Sequence, residues 1–328
     1  MHKRAFLALL AAAAALSALT LPRPAEAGDY PDRVVKFVVP FPPGGPTDAL
    51  ARHLAEGLQS RFPAGVIVDN KAGAGGNLGA EAVAKAEPDG YTILFGTSGP
   101  LAINKSLYSK LPYDPLTSFA PVIYIGSLPN VLVINPSLPV NTVADLITYA
   151  KARPGQLSFA SSGNGASSHL AGVLFNQMAG TQILHVPYKG TGPALNDLLG
   201  GHVQMSFTDI LTALPHIQSG KLRALGVTSA ERSAVLPDLQ TIAEQGLPGF
   251  DVSVFFGIVA PKGTPQPVIS KLNAAFAAAL REPAIRAAFT AQGIMLSTDT
   301  APAALTAKME TEGARWEKVI SEAKVRLD

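Results

Sequence analysis

Residues 34–50 read VVKFVVPFPPGGPTDAL, and this stretch decides the fold. Its first six residues are mostly β-branched or aromatic, which is typical of a buried strand. The glycine pair that follows lets the backbone approach a ligand closely, and Pro46 suits the first position of a helix. The first-turn N–H groups of that helix lack intrahelical partners and can receive an anion. No Lys or Arg lies between Val38 and Ala51, so the stretch predicts an anion site made of backbone dipoles.

The alternation of strand and helix continues along the whole chain. Short β-branched runs are separated by Ala- and Leu-rich helices with i, i+4 apolar spacing. After Pro261 the chain turns mostly helical, and we interpret this part as a return that covers the first lobe. The pattern predicts an α/β fold with mixed, mainly parallel sheets. The expected strands are 34–39, 66–69, 92–96, 122–125, 131–134, 157–160, 185–186, 203–208, 224–228 and 257–260.

Residues Met1–Ala27 read as a secretory signal. A basic start, His2-Lys3-Arg4, precedes an apolar stretch from Ala5 to Leu21, and Ala25-Glu26-Ala27 fits an A-x-A cleavage site. The alternative is a membrane anchor, but the stretch is short and Ala-rich, and no stop-transfer pattern follows it. We therefore expect cleavage after Ala27 and a mature chain that is free in a bacterial periplasm.

Composition limits the classes of partner. Cleavage removes Lys3, Arg4 and Arg23 against Glu26, which leaves 23 basic and 23 acidic residues in a mature chain of 301 residues. A neutral chain lacks the basic footprint of nucleic-acid or anionic-membrane binding, so neither partner is expected. The chain contains no cysteine, which excludes disulfides and thiolate metal sites. Its length suffices for two lobes that each bury an apolar core.

Two lobes with two crossings between them are predicted. The first lobe takes residues 28–125 together with 249–328, and the second takes residues 126–248. The candidate crossings are 125–130 and 247–250, because both contain the Gly and Pro that hinge segments often use.

Further candidate sites lie where strands end, since ligands of open α/β sheets bind beyond the carboxyl ends of strands. Hydroxyl groups there can donate to a carboxylate or can cap a helix, and both interpretations stay open. Asp209 could accept a hydrogen bond from an amine or hydroxyl of a ligand, or cap Thr212. Asp48 is interpreted as stabilising the N-terminus of its own helix. The loops are Gly73–Asn77, Thr97–Pro100, Ser161–His169, Val186–Gly192 and Phe207–Asp209.

Enzyme motifs are missing from the sequence. It has no G-x-S-x-G elbow, no Walker lysine motif and no H-E-x-x-H. A metal site at His169 and His185 is not expected, because neither has a second His at i+4. An exported serine hydrolase that uses Ser162 or Ser167 with His169 is kept as the alternative function. A scaffold with a vestigial cleft is a third hypothesis.

Four motifs together resemble one known family, the Bug or TctC periplasmic solute-binding proteins, over essentially the whole mature length. These proteins are the receptors of tripartite tricarboxylate transporters. The resemblance implies two Rossmann-like lobes that close on a ligand like a flytrap, with a carboxylate held by backbone amides and waters. The motifs are VPFPPGG with Thr47-Asp48, GAGGN at 73–77 with PDGYT at 88–92, SGNG at 162–165 with His169-Leu170-Ala171, and VPYKG at 186–190.

The resemblance also places the ligand loops and implies the partners. Two positions depart from the usual family pattern: Ala166 replaces a hydroxyl residue, and Phe255 stands where many members have Trp. We expect a monomeric receptor for a carboxylate, amino acid, aromatic acid or amide, which needs no cofactor or metal and can deliver its ligand to membrane transporter subunits. The expected ligand-binding residues are Phe41, Pro43, Gly44, Gly45, Thr47, Thr97, Ser98, Ser161, Ser162, Gly163, Asn164, Gly165, Ala166, Ser167, Tyr188 and Asp209.

Overall fold

The decisive stretch folds as the sequence predicts. Strand β1 covers Val35–Val39, and helix α1 covers Pro46–Leu58 with Gly45 as its N-cap residue. The computed structural model describes residues 30–327. The secretory signal predicted for Met1–Ala27 lies outside the described residues.

Most of the remaining strands and helices lie within a few residues of the predicted bounds, but the strands expected at 122–125 and 131–134 form one strand, and the short β10 was not predicted. Within residues 30–327, no helix is both long and apolar enough to cross a membrane. In chain order the elements are β2 (Val66–Asn70), a 3-10 turn (Ala74–Gly76), α2 (Asn77–Ala84), β3 (Thr92–Thr97), a π-helical turn (Gly99–Ile103), α3 (Asn104–Leu107), β4 (Phe119–Ile134), α4 (Val143–Lys151), β5 (Ser158–Ser161), α5 (Ser167–Ala179), β6 (Leu184–Pro187), α6 (Thr191–Leu199), β7 (Met205–Asp209), α7 (Ile210–Gln218), β8 (Arg223–Val227), β9 (Ser253–Pro261), α8 (Gln266–Arg281), α9 (Pro283–Ala291), β10 (Met295–Leu296) and α10 (Pro302–Ala323).

The strands form one mixed sheet in the order β2-β1-β3-β9-β4-β7-β5-β6, with β8 and β10 also paired to β4. Pairs are parallel at the two ends, where β1 joins β2 and β3, and β5 joins β6 and β7. The pairs made by β4 and β9 in the middle are antiparallel. The mixed sheet is therefore confirmed, while parallel pairing is confined to its ends. We call β2, β1, β3 and β9 the first half of the sheet, and β7, β5 and β6 the second half.

Strand β4 links the two halves. Its residues up to Pro129 pair with β9, and its residues from Asn130 onward pair with β7. The crossing predicted at 125–130 therefore lies inside a strand, whereas the one at 247–250 precedes β9. The register shifts at Gly126, whose φ is 151° and whose added Cβ would lie 2.3 Å from the carbonyl oxygen of Met295. A glycine is needed at this bulge because no side chain fits.

The apolar core includes one cluster of buried residues under each half of the sheet, and α10 contributes residues to both clusters. Leu305 and Met309 of α10 pack in the cluster under the first half, with Val38 and Leu94. Farther along the same helix, residues 316–320 pack in the cluster under the second half. The interpretation of α10 as a cover for the first lobe alone is therefore too narrow. The lobe boundaries themselves stay a prediction.

Candidate functional site

A cavity of about 160 Å³ lies where three helices begin. Helices α5, α6 and α7 directly follow strands β5, β6 and β7, so their N-termini meet at one edge of the second half of the sheet. Each N-terminus carries unpaired N–H groups and the positive end of the helix dipole. The cavity is lined by Leu128, Asn130, Ser162, Ser167, Ser168, Thr191, Ala194, Ser206, Phe207, Thr208, Asp209 and Val254.

The loop before α5 contributes hydroxyl groups to this cavity. The Ser162 hydroxyl lies 3.0 Å from that of Ser168, which also accepts the Ser162 N–H. The Ser167 hydroxyl accepts a hydrogen bond from the Asn130 amide nitrogen at 3.2 Å, which leaves its own proton free to donate. Ser162 and Ser167 were both predicted, and they lie together at the cavity.

The N-terminus of α5 has no side-chain cap. Ala166 is its N-cap residue, and the first helical bond runs from the Leu170 N–H to the Ala166 carbonyl at 3.0 Å. The N–H groups of Ser167 and Ser168 precede that bond, so the helix's own ladder does not use them. Because Ala166 has no side-chain oxygen to cap the helix, these donors stay available to a ligand.

The end of β7 supplies one hydroxyl and one carboxylate. Thr208 is 3% exposed, and its Oγ1 has no hydrogen-bond partner within residues 30–327. A buried hydroxyl group without a hydrogen-bond partner is uncommon, and a ligand bound in the cavity can provide that partner. Asp209 is the N-cap residue of α7 and accepts hydrogen bonds from the N–H and hydroxyl of Thr212. The capping interpretation of Asp209 is confirmed, and the same residue also lines the cavity.

Two histidines, the buried His169 and the half-buried His185, pack against the loop before α5. The rings of His169 and His185 stack with centroids 3.8 Å apart, and that of His185 also stacks on Phe159. Burial lowers the pKa of His169 to about 4, helped by the neighbouring His185, and burial likewise lowers the pKa of His185 to about 4. Both rings are therefore neutral at pH 7. His169 Nδ1 accepts the Gly165 N–H at 3.1 Å, which ties the stack to the loop.

The pairings that a hydrolase would need are not formed. His169 uses Nδ1 for the Gly165 N–H, while the hydroxyls of Ser162 and Ser167 bind Ser168 and Asn130. The Ser–His contact that does form joins the Ser161 hydroxyl to His185 Nε2 at 2.6 Å, and sequence reasoning missed it. Ser161 is fully buried, and within the described residues no carboxylate orients His185. The same residues contain no cluster of three His, Cys, Asp or Glu side chains that could hold a metal.

The first glycine loop is held by Asp48. This buried carboxylate accepts from Arg52 Nε, the Gly44 N–H and the Asn70 amide, each at 2.9 Å. The Arg52 hydrogen bond is the main reason that the pKa of Asp48 is lowered to about 2. The expected role of Asp48 in stabilising this helix N-terminus is confirmed. Asp48 takes the Gly44 N–H, Pro46 has no N–H, and Ala49 makes the first helical bond, so the donors left to a ligand here are the N–H groups of Gly45, Thr47 and Asp48.

The loops that follow strands of the first half of the sheet, at 41–47, 73–77 and 97–98, do not line the cavity. The loop at 73–77 comes close to the loop at 161–168 of the second half at residues 107–108, where α3 ends. A Cβ added to Gly75 would lie 2.8 Å from the Tyr108 hydroxyl, and one added to Gly165 would lie 3.0 Å from Leu107 Cδ1. The two sets of loops therefore pack on either side of residues 107–108. The predicted residues outside the cavity lining are Phe41, Pro43, Gly44, Gly45, Thr47, Thr97, Ser98, Ser161, Gly163, Asn164, Gly165, Ala166 and Tyr188.

Several lining residues escaped sequence reasoning. Asn130 reaches the site because β4 pairs with β7, with Asn130 directly opposite Asp209. Thr191 is the first residue of α6, and it belongs to a loop that was singled out without this residue being chosen. A polar residue that interrupts an apolar strand was the available signal for Asn130.

Comparison with known proteins finds relatives along almost the whole described chain. A family model described as the tripartite tricarboxylate transporter family receptor, TctC, matches residues 50–325. Protein BugT of Bordetella pertussis is 43% identical over 305 residues, which cover 93% of each chain. A protein from R. palustris solved with adipate is 41% identical with a TM-score of 0.78, covering 91% of this chain and 99% of that one.

A further structure is MatC from Rhodopseudomonas palustris, solved with bound malate. It is 35% identical, with a TM-score of 0.75 and coverage of 89% of this chain and 100% of that one. These similarities extend over almost the whole length of both partners. The chain therefore belongs to the TctC family of tripartite tricarboxylate transporter receptors.

Proposed function

We propose that this chain is a periplasmic solute receptor that binds a small carboxylate and delivers it to a tripartite tricarboxylate-type transporter. The observation that carries the proposal is the unpartnered, buried hydroxyl of Thr208 in a cavity where three helix N-termini meet. Backbone N–H groups, hydroxyls and positive dipole ends are the groups that receive a carboxylate without a cation. Within residues 30–327, no Lys or Arg lines this cavity.

The available interactions suffice for a receptor. A micromolar dissociation constant corresponds to ~8 kcal/mol of binding free energy. A partly buried helix terminus contributes up to ~2 kcal/mol, and a hydrogen bond to a charged group ~1.5–3 kcal/mol. Two helix ends and four such bonds exceed the requirement, which leaves a margin for the costs of association.

The relatives support the class of ligand and the location. Adipate and malate, the ligands in the two R. palustris structures, are both small dicarboxylates. Family members are receptors of a transporter system, and an exported chain cleaved after Ala27 would meet such a transporter in the periplasm. Ligand that bridges both halves of the sheet would favour a closed form by population shift.

The direct test is a thermal-shift screen of residues 28–328 against di- and tricarboxylates, acidic amino acids, aromatic acids and amides. A ligand at a hundred times its dissociation constant adds ~2.7 kcal/mol of stability. We expect a saturable shift with at least one carboxylate, and at least tenfold weaker binding in Thr208→Val. The control is Thr148→Val, on the exposed face of α4. Equal affinity in both variants would remove Thr208 from the site.

The first glycine loop is tested by Gly45→Val. The φ of Gly45 is −79°, and an added Cβ would meet only the Pro42 carbonyl oxygen at 3.6 Å, so the fold should tolerate the change. We expect at least tenfold weaker ligand binding, because the side chain blocks the close approach that the loop allows. Gly45→Ala should have a smaller effect, which titration calorimetry would measure. Unaltered affinity in Gly45→Val would show that this loop does not contact the ligand.

A further inference from the structure

The cavity lining contains hydrogen-bond acceptors as well as donors, and this combination narrows the range of ligands that can bind. Asp209 Oδ1 is occupied by Thr212, whereas Asp209 Oδ2 has no hydrogen bond or ion pair within the described residues. Because Thr212 fixes one oxygen, the carboxylate is held in place while the other oxygen stays available. A carboxylate oxygen accepts hydrogen bonds, so Asp209 Oδ2 can receive a donor of a ligand.

Asn130 supplies a second acceptor beside it. Asn130 and Asp209 are directly opposite each other in the antiparallel β4–β7 ladder. Opposite residues of such a ladder project from the same face with Cβ atoms about 4.5–5.5 Å apart. The Asn130 amide nitrogen donates to Ser167, so its orientation is set, and its Oδ1 has no partner in the part of the chain that the structure describes. The two side chains therefore present a pair of acceptors on one wall.

Hydrogen-bond donors also line the cavity. The hydroxyls of Ser162, Ser167, Thr191 and Thr208 can donate, and the N-termini of α5 and α6 add backbone N–H groups. One region thus suits a carboxylate, and the Asn130–Asp209 wall suits a group that donates. The charge agrees, since Asp209 is the one ionisable residue of the cavity lining and repels a second carboxylate.

We infer that this receptor selects acids that carry a hydrogen-bond donor, an amine or hydroxyl, beside the carboxylate. The donor binds Asp209 Oδ2 and Asn130 Oδ1, and an acid that lacks it leaves both acceptors unpaired. A site built to pair with a substrate OH or NH strongly rejects the analogue that lacks the group. This inference rests on the proposed function, because it assigns a selectivity to the same cavity.

The test compares matched acids that differ by the donor alone. L-Malate and L-aspartate are each compared with succinate, and lactate and alanine with propionate, by titration calorimetry on residues 28–328. We expect each donor-bearing acid that binds to bind at least tenfold more tightly than its partner. Asp209→Asn should reduce this ratio to less than threefold and leave succinate binding equal or stronger, since the negative charge is gone.

Asp209→Asn removes the charged acceptor that the selectivity needs and keeps the N-cap of α7. Asn is as good an N-cap residue as Asp, so α7 should keep its start and the melting temperature should stay within a few degrees of that of the wild type. The control is Asp145→Asn on α4, another exposed acid in a helix cap, where the selectivity ratio should not change. Equal binding of the matched acids by the wild type would overturn the inference and keep the proposed function. No saturable binding of these acids or of any other compound in the thermal-shift screen would overturn both.

Discussion

Lowering the pH from about 7.5 to about 4.5 is expected to remove about 2.5 kcal/mol of folding stability through buried His169 alone. The pKa of His169 is lowered to about 4 in the folded chain, while an unfolded histidine titrates near ~6.5. The unfolded chain therefore binds more protons between these two values. Stability is fully present above about pH 6.5 and is lost as the pH falls toward 4. His185, whose pKa is lowered in the same direction, adds to the loss.

The loss of folding stability should arise at the stacked rings of His169 and His185. Protonation of both rings at 3.8 Å would place two positive charges face to face in a buried site. Since His169 Nδ1 accepts the Gly165 N–H, protonation there also breaks the bond that holds the loop before α5. The chosen window stays above the range in which Asp48, with its pKa near 2, becomes protonated. The loss between pH 7.5 and 4.5 therefore reports mainly on the histidines.

Urea denaturation at the two pH values measures the effect. His185→Phe keeps a ring on which His169 and Phe159 can stack but removes one titrating group. We expect the pH-dependent loss to shrink by about half in this variant. His202→Asn, at an exposed position, is the control and should behave as the wild type does. The same loss in His185→Phe as in the wild type would contradict the assignment.

The local elements were predictable because their chemistry is local. The β-branched run of β1, the glycine pair and Pro46 each favour one conformation, and together they predict the strand, loop and helix that form. The sequence predicts two strands in place of β4, because glycine and proline, here Gly126 and Pro129, usually interrupt strands. A bulge at Gly126 and the pairing with β9 keep the strand continuous, and such pairing depends on residues more than a hundred positions away.

The candidate site was predictable only where it consists of strand ends. Ser162 directly follows β5, Asp209 ends β7, and Ser167 begins the helix after β5, so the rule for ligands of α/β sheets finds them. Asn130 enters from an antiparallel neighbour, and no local pattern indicates that partner. Ser161 occupies the same kind of loop but faces His185, because successive residues at a strand end point to opposite sides. Proximity in sequence therefore does not separate residues that line the cavity from those that support it.

Replacing Glu312 by Ala is expected to lower the free energy of unfolding by about 2 kcal/mol, because it leaves the buried Trp316 indole N–H without an acceptor and takes the shared carboxylate from the partly buried Lys308 and Arg315. Glu312 is 2% exposed in the middle of α10. It accepts hydrogen bonds from Arg315 at 2.6 Å, from the Trp316 indole N–H at 2.8 Å and from Lys308 at 3.1 Å. Arg315 also donates to the Asp251 carbonyl just before β9, and its Nε has no partner in residues 30–327.

This hydrogen-bond network lies between the two core clusters, so its loss is expected to destabilise both of them. Leu305 and Met309, before Glu312, pack under the first half of the sheet, and Trp316, after it, packs under the second half. Glu312 therefore fixes the part of α10 that joins the two clusters, and its loss should weaken both. Urea denaturation should show an ordering in which Glu312→Gln loses less than Glu312→Ala, because Gln still accepts the Trp316 N–H. Glu310→Ala, at an exposed position on the same helix, should change stability by less than about 0.5 kcal/mol. If Glu312→Ala lost no more than Glu310→Ala, the network would not hold α10 in place.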